Sequence, residues 1–484
     1  MHSSAGPPAS DEIPLCVDLD GTLTRTDVFV DALAGLLLRS PWLLARVSLW
    51  LLRGRARLKH EVLRRCPVDA AHLPWRDEVL AWVNAQAESG RAIYLTTGTD
   101  EGAALRVAAF AGCFTGVLAS DGRINLVGAC KARALRDRFG ARGFDYAGNS
   151  PKDLAVWREA GRAMVVGSAS LARRAAAVAP VAMHWPAPET APTRRLAALV
   201  AALRPHHWIK NLLVAVPLVA AHRAAEPTLL RHTTLAFIAF SLVASAAYVL
   251  NDLADLDGDR RHPRKRHRPF ASGRLPASAG AVLAPLLVAG GAALAMALPR
   301  AFGGWLLAYF AVTLAYTIRL KALAGIDVLV LAGLYALRVV AGAAATGIVL
   351  SGWLVAFSAF MFLSLALVKR EVELHAVRRA GSDRAFGRAY RLVHLRFVRV
   401  AGWLAGIGAV GVLAGYVVRS DVTALYRRPA WLWVGCAVVA AWLAHIWRRA
   451  AHGHVHDDPV VFALRDRFSR VAIIALVLVF IAAT

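Results

Sequence analysis

The sequence predicts two folds in one chain: an N-terminal α/β domain with a parallel sheet and a helical cap, and a C-terminal all-α bundle that spans a membrane. Hydrophobic residues make up 57% of the 484 residues and charged residues only 18%, and the apolar excess is concentrated after residue 200. Before that point, short apolar runs alternate with helical patterns, which is typical of a parallel sheet. Arginine clusters lie in short loops between the later apolar runs, as membrane proteins place them.

The N-terminal domain, residues 13–183, contains three apolar runs that indicate buried strands. They are Ile13–Val17, Ala92–Leu95 and Ala163–Val166. The first is followed by Asp18 and the second by a Thr-Thr-Gly sequence. Open α/β sheets place their sites at the carboxyl ends of strands, so these polar residues are candidates for a site.

Residues 32–63 are apolar and helical in pattern but are interrupted by Pro41. Their apolar runs are shorter than the roughly 20 residues that a membrane span needs. We therefore expect a helical cap over the sheet that rests on the bilayer surface. A proline-rich linker is predicted over residues 184–203, and the membrane domain over residues 204–484.

The membrane domain contains nine apolar runs long enough to suggest helices. They lie near 209–223, 232–250, 278–298, 301–318, 326–347, 351–369, 398–418, 430–447 and 469–484. Basic residues crowd the loops after the second, fourth, sixth and eighth runs, whereas the intervening loops are poor in them. The positive-inside rule then places the N-terminal domain in the cytoplasm and the C-terminus outside, in a multi-pass protein of the inner (plasma) membrane.

Composition also weighs against other classes of protein. The net charge is +25, but because the basic residues lie in loops between apolar runs, no nucleic-acid partner is expected. The five cysteines have no CxxC or other ligand spacing, so neither a disulfide framework nor a zinc site is indicated. The first twelve residues are polar and contain no apolar stretch, so no cleavable signal peptide is predicted.

The most informative stretch is residues 251–273, NDLADLDGDRRHPRKRHRPFASG, which directly follows a long apolar run. Asn251, Asp255 and Asp259 are spaced four apart and would share one face of a continuing helix. Oxygen ligands so arranged suit Mg²⁺, and the basic residues that follow suit a diphosphate. The alternative is a solvated loop at a helix end in which acidic and basic residues neutralise each other.

This stretch resembles the first signature, NDxxDxxxD followed by HPxKRxRPxASG, of the UbiA superfamily of intramembrane prenyltransferases. RPHHWIKN at residues 204–211 resembles the RPxxWxKN motif of the family, and YTIRLK at residues 316–321 resembles its YxxxLK motif. The resemblance implies a helical bundle with a central cavity, in which Asn251, Asp255 and Asp259 bind Mg²⁺-diphosphate. Substrate phosphates would be bound by Lys210, Asn211, Lys265, Arg266, Arg268 and Lys321.

A departure from the aromatic prenyltransferases of this superfamily narrows the expectation. They carry a second DxxxD motif near the fifth helix, where this chain has Asp327 and then Leu331. The motifs instead resemble the polyprenyl-phosphate phosphoribosyltransferase branch, which transfers ribose phosphate from phosphoribosyl pyrophosphate to a polyprenyl phosphate. In that reading Lys369 and Arg370 receive the lipid phosphate; the alternative for this pair is a positive-inside anchor.

Two other functions compete with this one. The first is transfer of a polyprenyl group from its diphosphate to an aromatic or quinone-precursor acceptor, which an acidic pair near Asp327 would have favoured. The second is a non-catalytic membrane scaffold or a transporter, which predicts repeated helices broken by glycine or proline. No convincing pair of such helices is visible in the sequence.

The N-terminal domain carries a motif of its own, DLDGTLT at residues 18–24, directly after the first strand. It resembles the first motif, DxDGT[LV][TS], of haloacid-dehalogenase-type phosphatases. The resemblance implies that Asp18 is the nucleophile that forms an aspartyl phosphate. It also implies that Asp20 is the general acid and base. Asp20 lies two residues after Asp18, so both side chains face the same phosphoryl group.

Further positions match the same family. Thr97 fits the residue that contacts phosphate, and Lys131 fits the lysine that neutralises it. GNSPKD at residues 148–153 resembles the GDxxxD motif, which would make Asn149 and Asp153 ligands of Mg²⁺ beside Asp18 and Asp20. Because Asn149 replaces the usual aspartate, the site has one negative charge fewer, and a regulatory or docking module remains the alternative. An active phosphatase would remove the 5-phosphate from the product of the membrane domain, giving a lipid-linked pentose for cell-surface glycans.

Overall fold

A computed structural model describes residues 13–187, 191–379, 381, 390–419, 426–455 and 459–483. The chain divides into two compact units. The first comprises Met1–Leu203 and Tyr248–Ala284, and the second Arg204–Ala247 and Pro285–Thr484. The signature stretch 251–273 therefore belongs to the same unit as the N-terminal domain, which the sequence did not indicate.

The first unit is built on a parallel sheet of six strands. In chain order they are β1 (Leu15–Val17), β2 (Ile93–Asp100), β3 (Gly116–Ser120), β4 (Asp145–Gly148), β5 (Ala163–Gly167) and β6 (Val181–Pro186). Their order in the sheet is β3-β2-β1-β4-β5-β6, and every neighbouring pair is parallel. β1 lies between β2 and β4, with Leu15 opposite both Ile93 and Asp145. The predicted α/β architecture is confirmed, and the three predicted strands correspond to β1, β2 and β5.

Helices cover both faces of this sheet. They are α1 (Val28–Arg39), α2 (Leu44–Leu52), α3 (Arg55–Arg65), α4 (Asp77–Glu88), α5 (Glu101–Ala111), α6 (Ala129–Phe139), α7 (Leu154–Trp157) and α8 (Ala169–Ala176). Successive side chains of a strand point to opposite faces, so Leu15 and Val17 enter one core and Cys16 the other. Two buried faces explain why the strands are apolar throughout rather than alternating.

The cap consists of α1, α2 and α3, as the pattern of residues 32–63 predicts. Asp27 begins α1 by accepting a hydrogen bond from the amide of Val30 at 2.9 Å. Helix α1 ends at Arg39 with Ser40 as its C-cap, and Pro41 begins a short 3₁₀ turn that leads into α2. Proline has no amide hydrogen for a helix interior, and here it separates α1 from α2.

The predicted linker is structured over most of its described residues. Residues 184–186 complete β6, and Pro192–Leu203 forms a helix, α9. Pro186 lies at the end of a strand and Pro192 at the first position of a helix, where a missing amide hydrogen costs little, and Pro188 lies outside the described residues.

The remaining helices are mostly apolar. They are α10 (Val216–Ala220), α11 (Pro227–Ala254), α12 (Leu256–Arg261), α13 (Ala277–Ala295), α14 (Arg300–Ile318), α15 (Ile326–Thr346), α16 (Gly352–Arg379), α17 (Leu395–Val418), α18 (Trp431–Ala451), α19 (Pro459–Arg465) and α20 (Arg467–Ala483). Among the described residues, seven helices are long and apolar enough to cross a membrane: α11, α13, α14, α15, α16, α17 and α18.

Two of the nine predicted helices differ from the expectation. The first, near 209–223, is a 3₁₀ segment over Pro205–Ala215 followed by the five-residue helix α10. Pro217 lies in the first turn of α10, and because proline has no amide hydrogen for a helix interior, it separates α10 from the preceding 3₁₀ segment. The ninth, α20, has 17 residues, and residue 484, at the end of the predicted range, lies outside the described residues.

Candidate functional site

The first group of candidate residues lies at the carboxyl edge of the sheet. Asp18 follows β1, Thr97 lies in β2, and Asn149 follows β4. These three strands are neighbours in the sheet: β2 lies on one side of β1, and β4 lies on the other. Such a switch in strand order leaves a crevice outside the strand ends, where open α/β sheets bind their ligands.

Lys131 connects the nucleophile candidate to the rest of this group. Its ammonium donates to Asp18 Oδ1 at 2.7 Å, to the carbonyl of Thr96 at 2.9 Å and to the hydroxyl of Tyr146 at 2.9 Å. Lys131 is 3% exposed and Asp18 8%, so their ion pair is shielded from water. A buried ammonium beside the carboxylate is suited to neutralising a phosphoryl group that the carboxylate attacks.

Asp20 lies in the tight turn Leu19–Leu23 and is held at both oxygens. Its Oδ1 accepts from the amide of Val28 at 2.8 Å, and its Oδ2 from the hydroxyl of Thr99 at 2.6 Å. Burial raises the pKa of Asp20 to about 8, with the nearby charges of Asp27 and Asp18 adding to the rise. Burial also raises the pKa of Asp18, to about 6, because Lys131 offsets only part of the effect. Two carboxyl groups with separated pKa values suit one nucleophile and one proton donor.

Asn149 and Asp153 complete the group beside the turn. The side-chain oxygen of Asn149 accepts from the hydroxyl of Thr22 at 3.3 Å. Asp153 Oδ2 accepts from the amides of Asn149 and Ser150 at 3.0 and 2.8 Å, which fixes the loop after β4. Gly21 is required here: its φ is +79°, and an added Cβ would lie 2.0 Å from Asn149 Nδ2.

The oxygen atoms of this group can bind Mg²⁺ only if substrate phosphates and waters supply the remaining ligands. Among the described residues, no three His, Cys, Asp or Glu side chains converge closely enough to hold a metal ion by themselves. Mg²⁺ is commonly held by one or two carboxylates, completed by waters and substrate phosphates. Asp18 and the amide oxygen of Asn149 are oxygen donors of this kind, which is compatible with a phosphate-dependent metal site.

The cap contributes residues that the motifs did not reveal. Lys59 in α3 donates to the carbonyl of Gly98 at 2.5 Å and to Asn125 Oδ1 at 3.0 Å. Burial lowers the pKa of its ammonium, although the charges of Asp20 and Asp27 oppose this. Thr99, which holds Asp20, was also missed. The only sequence signal for Lys59 was a basic residue within the cap pattern, and its place at the sheet edge depends on how the cap folds.

Without Mg²⁺, we expect the stability of the first unit to fall as the pH rises from about 4 to about 8. The folded-state pKa of Asp20 is raised to about 8 and that of Asp18 to about 6, so their stabilising contribution is complete below about 4 and is lost as these groups ionise. The check is the thermal unfolding midpoint of the detergent-solubilised chain in a chelator across this range. Asp20→Asn should flatten the profile; parallel profiles for both proteins would contradict the assignment.

The second group of candidates lies in the signature stretch, where α11 gives way to α12. The helix breaks at Asp255, whose φ and ψ are −101° and 14°. Backbone hydrogen bonds nevertheless continue at a spacing of four, from Asp255 to Asn251 at 3.0 Å and from Asp259 to Asp255 at 2.8 Å. The three candidate metal ligands therefore follow one another turn by turn, as their spacing predicts.

Arg268 lies against the acidic residues of this stretch. Its Nη1 contacts Asp252 Oδ1 at 3.1 Å and Asp259 Oδ2 at 2.6 Å. Lys265 is 4.0 Å from the other oxygen of Asp259, and Arg266 is exposed. Burial raises the pKa of Asp259, and the charge of Arg268 opposes this. Arg268 thus bridges two buried carboxylates, those of Asp252 and Asp259.

Three other charged residues of the stretch contact α1 and the segment that follows α3. Arg260 pairs with Asp31 of α1 at 2.5 Å, and both side chains are less than one-tenth exposed. The remaining pairs are Arg39 with Asp257 at 3.2 Å and Arg261 with Asp69 at 2.8 Å. Asp257, Arg260 and Arg261 thus hold the stretch against the N-terminal part of the same unit.

The buried pair Asp31–Arg260 should contribute far more to stability than the exposed pair Arg39–Asp257. Asp31→Asn leaves the Arg260 guanidinium buried without its charge partner, at a cost of about 3–5 kcal/mol. Asp257→Asn breaks a pair whose side chains are 48% and 54% exposed, and should cost less than about 1 kcal/mol. Hydrogen exchange of the α12 amides in the two variants measures this difference. Equal increases in exchange would show that the Asp31–Arg260 pair does not hold α12.

The second unit contains the two candidates from the RPHHWIKN motif. Asn211 is 1% exposed; its amide donates to Ser241 at 3.0 Å, and its oxygen accepts from Arg338 at 2.9 Å. Arg338 also donates to the hydroxyl of Tyr309 at 3.0 Å. Lys210 lies over the ring of Tyr335, with its ammonium 5.7 Å from the ring centre.

Arg338 was missed by the motif comparison. It is 5% exposed inside α15, a helix long and apolar enough to cross a membrane. Ionisable residues inside membrane helices are costly and often functional. A lone arginine in the apolar run 326–347 was the sequence signal that pointed to it.

Asp327 and Arg370 form a buried ion pair. Arg370 Nε lies 2.8 Å from Asp327 Oδ2 with both side chains at most 1% exposed, and Arg370 also pairs with Glu373. The other oxygen of Asp327 accepts from the hydroxyl of Tyr390 at 2.7 Å. Arg370 therefore pairs with two carboxylates. Lys369 and Lys321 are half-buried.

Comparison of the sequence with known proteins assigns the chain to a family. Residues 211–481 match the model of the UbiA prenyltransferase family. The uncharacterized protein y4nM of Sinorhizobium fredii is 35% identical over 95% of this chain and 88% of its own length. The nodulation protein NoeC of Azorhizobium caulinodans is 39% identical, and the decaprenyl-phosphate phosphoribosyltransferase of Mycobacterium tuberculosis 34% identical, each over 57% of this chain and 90% of its own length. The chain belongs to the UbiA prenyltransferase family of integral membrane transferases.

Proposed function

We propose that the membrane domain transfers 5-phosphoribose from phosphoribosyl pyrophosphate to a polyprenyl phosphate, and that the N-terminal domain then removes the 5-phosphate. The observation that carries the first step is the similarity to decaprenyl-phosphate phosphoribosyltransferases, at 34% identity over 90% of the Mycobacterium tuberculosis protein. The second step rests on the arrangement of Asp18, Asp20 and Lys131.

In the transfer, the bond between the ribose C1 and the pyrophosphate oxygen breaks, and a bond forms from C1 to an oxygen of the lipid phosphate. Pyrophosphate leaves with the bonding electrons, so stabilising its charge lowers the barrier. Asn251, Asp255 and Asp259 are assigned to Mg²⁺, which would bind the diphosphate and neutralise that charge. Lys265, Arg266 and Arg268 follow on the same stretch and are assigned to its phosphate oxygens.

The buried pair of Asp327 and Arg370 supports phosphoribosyl transfer over prenyl transfer. A second acidic motif would need carboxylates that reach a metal ion. Asp327 is 0% exposed and has Arg370 and Tyr390 on its two oxygens, and position 331 is a leucine. This region therefore has one aspartate and no second carboxylate at position 331, so it lacks the acidic pair that would favour a prenyl diphosphate. We therefore assign Lys369 to the lipid phosphate. Lys210 and Lys321 are assigned to the remaining phosphate charge.

In the second step, Asp18 attacks the 5-phosphate and forms an aspartyl phosphate while Asp20 protonates the departing ribose oxygen. Water then attacks the phosphorus, Asp20 accepts its proton, and inorganic phosphate leaves. The raised pKa of Asp20, about 8, keeps its proton available at neutral pH. Lys131 pairs with Asp18, and Thr97 is assigned to the phosphate oxygens. Mg²⁺ bound by Asp18, Asn149 and Asp153 would neutralise the phosphate, and the Asp20 carboxyl is left to carry the proton.

The assignment of donor and acceptor is tested with purified protein in liposomes by measuring pyrophosphate release. We expect release with phosphoribosyl pyrophosphate plus polyprenyl phosphate, dependent on Mg²⁺ and on both substrates. Release instead with polyprenyl diphosphate plus an aromatic acid would favour the prenyltransferase alternative and overturn the proposal. A chelator control separates enzymatic release from contamination by metal-independent reactions.

A further inference from the structure

The cap exposes an apolar face that its own core does not use. In the segment Pro41–Leu52, five large apolar side chains are exposed: Trp42 by 67%, Leu44 by 60%, Leu49 by 46%, Leu51 by 51% and Leu52 by 85%. Val47 and Trp50 of the same segment are buried against Leu36, Leu58 and Val62. The segment is therefore a folded amphipathic element. A contiguous exposed apolar surface of this kind usually marks an interaction site.

The face begins close to the end of α11, a helix that is long and apolar enough to span a bilayer. Arg39, the last residue of α1, donates from Nε to the carbonyl of Ala254 at 2.8 Å. Ala254 is the last residue of α11, which is long and apolar enough to span a bilayer. Trp42 follows Arg39 by three residues, and the chain bends by 115° between α1 and the segment Pro41–Leu52. The apolar face thus begins beside the point where α11 ends.

Charge around the face matches a membrane surface. Arg46 lies within the segment, and Arg53 and Arg55 follow it directly; all three are exposed. Interfacial helices combine such basic residues with tryptophan and leucine on the apolar side, and the basic residues attract anionic lipid headgroups. A second protein chain would not require this combination of an exposed tryptophan, leucines and arginines at the end of a membrane span.

We propose that the apolar face of Pro41–Leu52 inserts into the headgroup and acyl boundary of the bilayer that α11 spans, with anionic phospholipid as its partner. Helix α1 leads to this face and starts beside Asp18 and Asp20 at the sheet edge, because Asp20 Oδ1 accepts a hydrogen bond from the amide of Val28 at 2.8 Å. Helix α3, which follows it, supplies Lys59 to the same edge of the sheet. The cap therefore links the candidate phosphatase site to the lipid surface. Resting on the proposed function, this makes a lipid-borne phosphate monoester the natural substrate class of that site.

The test uses the full chain in liposomes of phosphatidylcholine and phosphatidylglycerol, with single nitroxide labels at Leu49→Cys and Leu52→Cys. Cys66, Cys113 and Cys130 are replaced by serine, since Cys16 and Cys436 are buried. The matched control is Ala176→Cys, an exposed position in α8. The accessibility of each label to oxygen is compared with its accessibility to a water-soluble nickel chelate.

We expect the labels at positions 49 and 52 to favour oxygen and to lie about 5–10 Å below the headgroup level, whereas the label at 176 favours the nickel chelate. Preference for nickel at all positions would overturn the proposal. Shielding from both reagents at 49 and 52 would also overturn it, because a protein would then cover the face. This readout requires no activity, so its failure is distinct from failure of the proposed function.

Discussion

Replacing Asp255 or Asp259 with asparagine is expected to lower the rate of ribosyl transfer by about 10²-fold or more. Each change keeps the shape of the side chain but removes a negative charge from the proposed Mg²⁺-diphosphate site. The loss should appear at saturating substrate, because the metal stabilises charge that develops on the leaving pyrophosphate. Transfer of label from phosphoribosyl pyrophosphate to lipid in liposomes measures it.

Asp257→Asn is the matched control for this experiment. Asp257 lies between the two candidates in sequence, but its side chain is 54% exposed and paired with Arg39. We expect its variant to retain most of the transfer rate. A loss equal to that of Asp255→Asn would contradict the assignment of separate tasks within the stretch, and full activity of Asp255→Asn and Asp259→Asn would remove the metal site from it.

Replacing Asp18 with asparagine is expected to lower the rate of inorganic phosphate release by about 10³-fold or more, while the rate of ribosyl transfer stays unchanged. Asparagine fills the same space beside Lys131 but is not a nucleophile towards phosphorus. The lipid product should then keep its 5-phosphate. Mass spectrometry of the lipid product and a phosphate-release assay measure the two effects separately.

Asp137→Asn serves as the control for that variant, because Asp137 belongs to the same domain but its side chain is 65% exposed and lies on α6. It should release phosphate at the normal rate. If Asp18→Asn releases phosphate as fast as the control does, the N-terminal domain is not the phosphatase, and the regulatory alternative gains support. Transfer by the membrane domain would still stand in that case.

The sequence was most informative where function depends on short-range spacing. The motif after β1 placed Asp18 and Asp20 together, and the parallel strands then had to bring Thr97 to the same edge of the sheet. The four-residue spacing of Asn251, Asp255 and Asp259 likewise survives the break between α11 and α12, because backbone hydrogen bonds continue on both sides of it.

Features that depend on long-range packing were not predictable from the motifs. Lys59 reaches the sheet edge only because α3 folds back over it. Arg260 belongs to a signature stretch by sequence but pairs with Asp31, more than two hundred residues earlier. Arg370 reads as a phosphate ligand in its motif, yet its pairing with Asp327 depends on how α15 and α16 meet. Spacing along one chain segment carries no information about such partners.

The most direct test of the account uses phosphoribosyl pyrophosphate labelled with carbon-14 in the ribose and with phosphorus-32 in the 5-phosphate. The purified chain in liposomes with polyprenyl phosphate and Mg²⁺ should transfer carbon-14 to the lipid and release phosphorus-32 as inorganic phosphate. With Asp18→Asn, both labels should remain on the lipid; with Asp255→Asn, neither should reach it. Absence of carbon-14 from the lipid with the unmodified chain would contradict phosphoribosyl transfer.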